Sequence, residues 1–251
     1  MRPWFAAALA AFFTLAFALP ACAADPDALW NIVGGQCVPG QQAQHDPAPC
    51  VSVDLAGGYA VLKDQSGATQ MLVIPTTRVT GIESPALLDP AAPNYWADAW
   101  QARHDVEQYA HREIPREDVA MAVNSVYARS QDQLHIHVDC IRADVRATLK
   151  ADLDHIGPAW APIDVGVSGR HYEAMRIGGD DLGERNPFDL LANGDPAARA
   201  DMGLETLLVA PVTFADGSPG FILIADRASA GDAGSAEELQ DHNCAVLKPG
   251  G

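Results

Sequence analysis

Between Gln133 and Cys140 the chain alternates polar and apolar residues without a break: Gln-Leu-His-Ile-His-Val-Asp-Cys. A period of two belongs to an extended strand, because successive side chains on a strand point to opposite faces. Leu134, Ile136, Val138 and Cys140 share an apolar face that seeks a core. Gln133, His135, His137 and Asp139 share the other, so two imidazoles stand side by side at a spacing set by the backbone. Any fold open to this chain has to bury one side of this strand and accommodate the polar side.

The surrounding pattern predicts an antiparallel α+β fold. Apolar runs at 59–64 and 69–75 flank a polar Gly-bearing turn and read as a hairpin, closed by Pro75. Helical spacing predicts a long helix over 95–112, a buried strand over 119–124, the histidine strand over 133–142 and a helix over 143–153. Beyond Pro158 the predicted strands are 161–167, 173–177, 204–212 and 220–226, with Asp216-Gly217-Ser218 turning the last pair into a hairpin. Helices are expected over 29–35, stopped at Gly34-Gly35, over 189–200 and over 235–245. The βαβ alternation of a parallel sheet and a Gly-rich phosphate loop are both missing from the sequence. The chain divides into a leader (1–23), a catalytic region (24–157) and a C-terminal α+β region (158–251) packed on it. Hairpins in both halves make the second a candidate diverged repeat of the first.

The first residues have the layout of a secretory signal. Met1-Arg2 is basic, Phe5 to Leu19 is uncharged and apolar, and Pro20-Ala21-Cys22-Ala23 offers a small-x-small cleavage pattern. The alternative is an uncleaved N-terminal anchor. A lipoprotein reading of Cys22 fits poorly with Pro20. Four further cysteines agree with export to an oxidising compartment: Cys37, Cys50, Cys140 and Cys244. Three pairings are open. Cys37 and Cys50 flank a polar, Pro-rich stretch that has no core of its own, which favours a local staple there and leaves Cys140 with Cys244. Zinc is the competing use, but none of the four forms a C-x-x-C pair. The net charge of −17 disfavours nucleic-acid partners.

The polar face of the histidine strand admits three readings. Surface histidines on an edge strand are the bland one. A metal site is the second, with His104, His111, His155, His171 and His242 as conceivable further ligands. The third is phosphoryl chemistry, in which a neutral imidazole is the nucleophile and a protonated neighbour bonds a phosphate oxygen.

The stretch resembles the histidine triad signature, H-φ-H-φ-H-φ-φ with φ apolar, of nucleotide hydrolases and transferases. Val61-Leu62-Lys63-Asp64, then Met71 to Pro75 with Arg78, and Asn124 closing a strand follow in that family's order. The flanks narrow the match. Leu-Trp-Asn-Ile-Val near the start, the loop between Cys37 and Cys50, and Ile82-Glu83-Ser84-Pro85 resemble the CDP-diacylglycerol pyrophosphatases. So do His135-Ile136-His137 leading to Cys140-Ile141-Arg142, Asp144-Val145-Arg146, and Glu237 to Cys244. One departure from the triad signature stands out: Gln133 occupies the place of the first histidine.

The resemblance implies a histidine-triad-like antiparallel sheet with packed helices, and hydrolysis of CDP-diacylglycerol to CMP and phosphatidate without cofactor or metal. His135 corresponds to the nucleophile, forming a nucleotidyl-histidine intermediate, and His137 stabilises phosphoryl oxygens. Lys63 and Asp64 fall where the ribose is bound. Asn124, Ser130 and Gln131 lie in the phosphate loop, and Gln133 retains hydrogen-bonding capacity beside them. Arg78, Arg129 and Arg142 are further phosphate candidates. The expected location is the periplasm or the periplasmic face of the inner membrane, where the substrate is a lipid nucleotide. The alternatives are an exported histidine-based metal binder and a transferase that passes CMP to a phosphate acceptor. The Trp96, Trp100, Tyr109 stripe is expected in helix core.

Overall fold

The computed structural model describes residues 25–166 and 170–248. The leader read at 1–23 lies outside those residues. Nine strands build one sheet among the described residues: β1 (Ser52–Asp54), β2 (Tyr59–Lys63), β3 (Met71–Pro75), β4 (Val119–Val123), β5 (Ile136–Cys140), β6 (Ala161–Pro162), β7 (Glu173–Gly178), β8 (Glu205–Thr213) and β9 (Pro219–Arg227). Their order is β1-β2-β3-β5-β4-β8-β9-β7-β6, and every neighbouring pair is antiparallel. The helices are α1 (Ala28–Ile32), α2 (Val38–Gln44), α3 (Tyr95–Ala110), α4 (Ala143–Asp152), α5 (Pro187–Gly194) and α6 (Pro196–Ala200).

The strand order repeats itself. β2-β3-β5-β4 in the first half has its counterpart in β6-β7-β9-β8, each half interposes helices between its second and third strands, and the halves join through β4 and β8. At that seam Ala122 faces Leu208. Ala122 also pairs with His137, and Leu208 with Ile224, so the second half carries isoleucine where the first carries a histidine. The junction expected at 157/158 falls in the link between α4 and β6. The last residues do not stay with the second half. Gln240 bridges to Ile141 and returns the chain to the first.

Alternation along the strands sorts the core onto two faces. Met71 and Val73 of β3 with Ile136, Val138 and Cys140 of β5 meet α3, α5 and α6, where Trp96 packs against Phe188 at a tilt with centroids 5.2 Å apart and Trp100 meets Phe221 edge-on at 5.3 Å. Tyr109, at the end of the same stripe, is 42% exposed and outside that core. The opposite face is covered in two separate parts. Leu29, Val33 and Cys37 of the N-terminal helices pack on Leu62, Leu72 and Ile74. Val145 and Leu149 of α4 pack on Ala120, Ala122, Leu208 and Ala210. His135 and His137 lie on this face, in the gap between the two coverings.

Five sequence expectations need correction. Gly34-Gly35 does not stop the first helix. Val33–Cys37 forms a π-helical turn that leads into α2, and the Trp30 ring lies 2.8 Å from where a Cβ on Gly34 would stand, so glycine admits the ring rather than breaking the helix. The stretch expected as loop between Cys37 and Cys50 is therefore half helical, with Pro39 in its first turn, where no amide donor is needed. The helix expected over 189–200 divides at Asp195, whose carboxylate caps the Ala197 amide and starts α6. The helix expected over 235–245 is absent. Ala236–Leu239 and Ala245–Leu247 are short 3₁₀ turns joined by a non-helical strap, because Gln240 bonds the sheet and Cys244 is tied to Cys140. The strand expected over 161–167 shortens to Ala161–Pro162.

Candidate active site

His135 and His137 stand on β5 and its entry, with ring centroids 4.8 Å apart and planes nearly perpendicular. They line a cavity of about 550 Å³ together with Lys63, Asp64, Asn124, Arg129, Ser130, Gln131 and Glu237. Leu29, Ile32, Pro49, Leu62 and Leu72 form an apolar wall of the same cavity. A pocket of this size, apolar on one side with a few converging polar groups, suits a small amphipathic ligand.

His135 Nδ1 lies 2.7 Å from the backbone carbonyl of Gln133. A carbonyl only accepts, so Nδ1 carries the proton and the neutral ring presents a lone pair on Nε2. Burial lowers the His135 pKa below its ordinary value, which keeps the ring neutral. His137 is lowered to about 3 by burial and by its histidine neighbour. The protonated partner expected for the nucleophile is therefore not His137. Its Nδ1 lies 2.8 Å from Gln70 Nε2, and its Nε2 has no hydrogen-bond partner among the described residues.

Beside His137 the C-terminal strap brings a charged cluster against Asp139 of β5. His242 Nδ1 bonds Asp139 at 2.9 Å and its Nε2 reaches Glu237 at 3.3 Å. These two carboxylates, Asp139 first, raise the His242 pKa to about 10, so it is a fixed cation at neutral pH. Burial alone would raise Glu237, but bonds from His242, Gln70 and Asn124 hold it well below the carboxylate range. Thr69 donates to Asp139 at 2.7 Å from the other side.

The remaining sequence candidates divide. Lys63 lines the cavity, with Nζ bonded to the carbonyls of Asp64 and Gly67. Asn124 holds Glu237 through Nδ2 at 3.0 Å. Gln131 lines the wall while accepting from Leu29 N and donating to Asp25 O, which ties the start of the described chain to the site. Gln133, expected at the substrate, turns its amide elsewhere. It is fully buried, donates to the carbonyls of Pro75 and Thr77, accepts from Val79 N, and so fastens the end of β3. Its backbone carbonyl does the work at His135. Arg78, Arg129 and Arg142 are each bound to carboxylates: Asp27, then Glu83 with Asp132, then Asp144. Arg129 alone of these lines the cavity.

Both disulfides form as the spacing suggested, Cys37 to Cys50 and Cys140 to Cys244. The grouping of Asp139, Cys140 and Cys244 has metal-ligand proximity, but its two sulfurs are joined to each other. Of the five histidines considered as further ligands, His104, His111, His155 and His171 are exposed, and only His242 reaches this face, with both ring nitrogens engaged.

Sequence reading passed over Gln70, Asp139, Glu237 and His242 as a group, since they come from three distant segments. One signal was available. A Cys140–Cys244 bond sets the residues just before Cys244 beside the histidine strand, which brings His242 next to Asp139.

A family model described as CDP-diacylglycerol pyrophosphatase matches residues 24–248. A curated CDP-diacylglycerol pyrophosphatase of Yersinia pestis is 43% identical over 225 residues, covering 89% of this chain and 86% of that protein.

Proposed function

Since the chain belongs to the CDP-diacylglycerol pyrophosphatase family, a hydrolase family acting on a diphosphate bond, we propose that it cleaves its lipid nucleotide through a covalent intermediate on His135. The observation that carries this reading is the bond from His135 Nδ1 to the Gln133 carbonyl, which leaves Nε2 bare and aimed into the cavity. Nε2 attacks the phosphorus that carries cytidine. The P–N bond forms as the bridging P–O bond breaks, and phosphatidate leaves with that electron pair. Water then attacks the same phosphorus, the P–N bond breaks, CMP departs, and the proton released goes to solvent. Dividing one displacement into two is the advantage of a covalent route. The Gln133 carbonyl stabilises the positive charge that the ring acquires on bonding phosphorus.

His137 Nε2–H is the donor to an equatorial phosphoryl oxygen, where negative charge accumulates. Lys63 and Asp64 sit at the ribose, and Asn124, Ser130 and Gln131 line the phosphate path. The apolar wall from Leu29 to Leu72 takes the glycerol side of the lipid. The same proposal includes export, supported by two disulfides that need an oxidising compartment. No cofactor enters this scheme.

The deciding experiment is a rapid quench with CDP-diacylglycerol labelled in the cytidine phosphate, in EDTA, followed by peptide mapping. Label on the peptide containing His135, with CMP released at a matching rate, is expected. Turnover that needs a divalent cation, or label on another residue, defeats the scheme. Adding a phosphate acceptor and finding cytidylylated product would shift the reading to a transferase.

A further inference from the structure

Gln70 has no assigned role, yet it is fully buried at the foot of β3 with its amide nitrogen between two groups of the site. Nε2 lies 2.9 Å from Glu237 Oε1 and 2.8 Å from His137 Nδ1. An ionised carboxylate can only accept, so the nitrogen end of the amide has to face Glu237. The second hydrogen of the same NH₂ then points at His137 Nδ1, which therefore accepts. The His137 proton is left on Nε2, the nitrogen without a partner among the described residues.

We propose that Gln70 and Glu237 are positioning residues that hold His137 in its Nε2–H tautomer, so that it donates to the phosphoryl group. The inference rests on the function proposed above and deepens it. The strap supplies the anchor for this chain of bonds. Glu237 is gripped by His242 at 3.3 Å and Asn124 at 3.0 Å, and His242 is gripped by Asp139 at 2.9 Å. Without the Gln70 amide the nearest partner for His137 Nδ1 is Glu237 itself, 3.4 Å away, which would draw the proton to Nδ1. Nε2 would then meet the substrate with a lone pair, opposing an anionic oxygen instead of bonding it. The positioning residues thus decide the sign of the contact and not merely its strength.

The test is two-bond ¹H–¹⁵N correlation of the full chain labelled with ¹⁵N-histidine at neutral pH, alongside steady-state kinetics of CMP release. The wild-type protein is expected to show His137 protonated on Nε2 and bare on Nδ1. A His137 protonated on Nδ1, or on both nitrogens, overturns the proposal without any variant. In Gln70→Met the proton is expected to move to Nδ1. There kcat should fall about 100-fold, as for loss of one transition-state donor, while KM shifts by less than about threefold. The unmoved Nδ1–H signal of His135 reports that the fold survives. A Gln70→Met protein that keeps the Nε2–H tautomer, or keeps kcat within about threefold of wild type, also overturns it. Wild-type protein that releases no CMP but shows the expected tautomer faults the function reading alone, and the two failures are told apart.

Discussion

His135 donates its Nδ1 proton to the backbone carbonyl of Gln133, two residues earlier in the same segment. The bond lies within one segment, and it leaves the other ring nitrogen with a free lone pair. His135→Ala removes that nitrogen while leaving the sheet pairing of β5 intact. CMP release should fall by on the order of 10⁴, with an unchanged far-UV spectrum. Retained turnover would transfer the nucleophile to another group.

Burial lowers the His135 pKa below the ordinary imidazole value of 6.5. In the proposed reaction the neutral ring is the reactive form, so activity should be lost only when pH falls far enough to protonate it. The acid limb of kcat/KM is expected below pH 6.5, with a plateau across neutrality. A limb centred at 7 or above would show that another group controls the reaction.

His242 is raised from 6.5 to about 10 in the folded protein by Asp139 and Glu237. A raised pKa means that folding binds the proton, so this stabilisation is complete below pH 6.5 and is lost as pH climbs through about 10. Urea midpoints measured from pH 6.5 to 10 should decline for the wild type. His242→Phe, which starts less stable, should show a flatter profile over the same interval. Parallel profiles would separate His242 from the stability of the strap.

The two disulfides close loops of very different length, 13 and 104 residues in separation. Chain-entropy estimates give about 3 kcal/mol for a loop near the shorter length and about 4.7 kcal/mol near the longer. Cys244→Ser paired with Cys140→Ser should therefore cost more stability than the Cys37, Cys50 double variant. It should also remove most turnover, since the freed strap carries Glu237 and His242. Calorimetry and CMP release on the two proteins check both parts.

Gly67 sits at a φ of +65°, and a Cβ there would stand 2.5 Å from His242 Cβ and 2.9 Å from its carbonyl oxygen. Gly67→Ala is expected to lose roughly 1–3 kcal/mol and to lower kcat by displacing the strap. Gly217→Ala is the comparison, since Gly217 also has positive φ but open space around it. It should lose stability without loss of activity. Equal kinetics in the two proteins would show that the strap tolerates displacement.

Much of this architecture was legible in the chain alone. The β2–β3 hairpin, α3, β4, β5, α4 and the β8–β9 hairpin all announce themselves through periods of two or 3.6, because each is shaped by its own neighbours in sequence. The same locality made the His135, His137 pair readable, along with the cysteine pairing across the short Cys37–Cys50 loop. The strap is where local reading failed. Residues 235–245 have helical composition, yet a bridge to Ile141 and a disulfide to Cys140 hold them in short turns instead of a helix. Gln133 likewise read as a substrate group and proved to be a buried fastener.

The sequence by itself determined that two histidines share one face of a strand in an antiparallel α+β protein, and which family that strand belongs to. The His135 ring is set within its own segment, but only the tertiary structure decided what His137 Nδ1 meets. That outcome depends on Gln70, Asp139, Glu237 and His242, which lie far apart along the chain and meet only after the sheet and its strap have formed. Hydrogen-bond direction is a property of neighbours in space, and sequence periodicity reports only neighbours along the backbone.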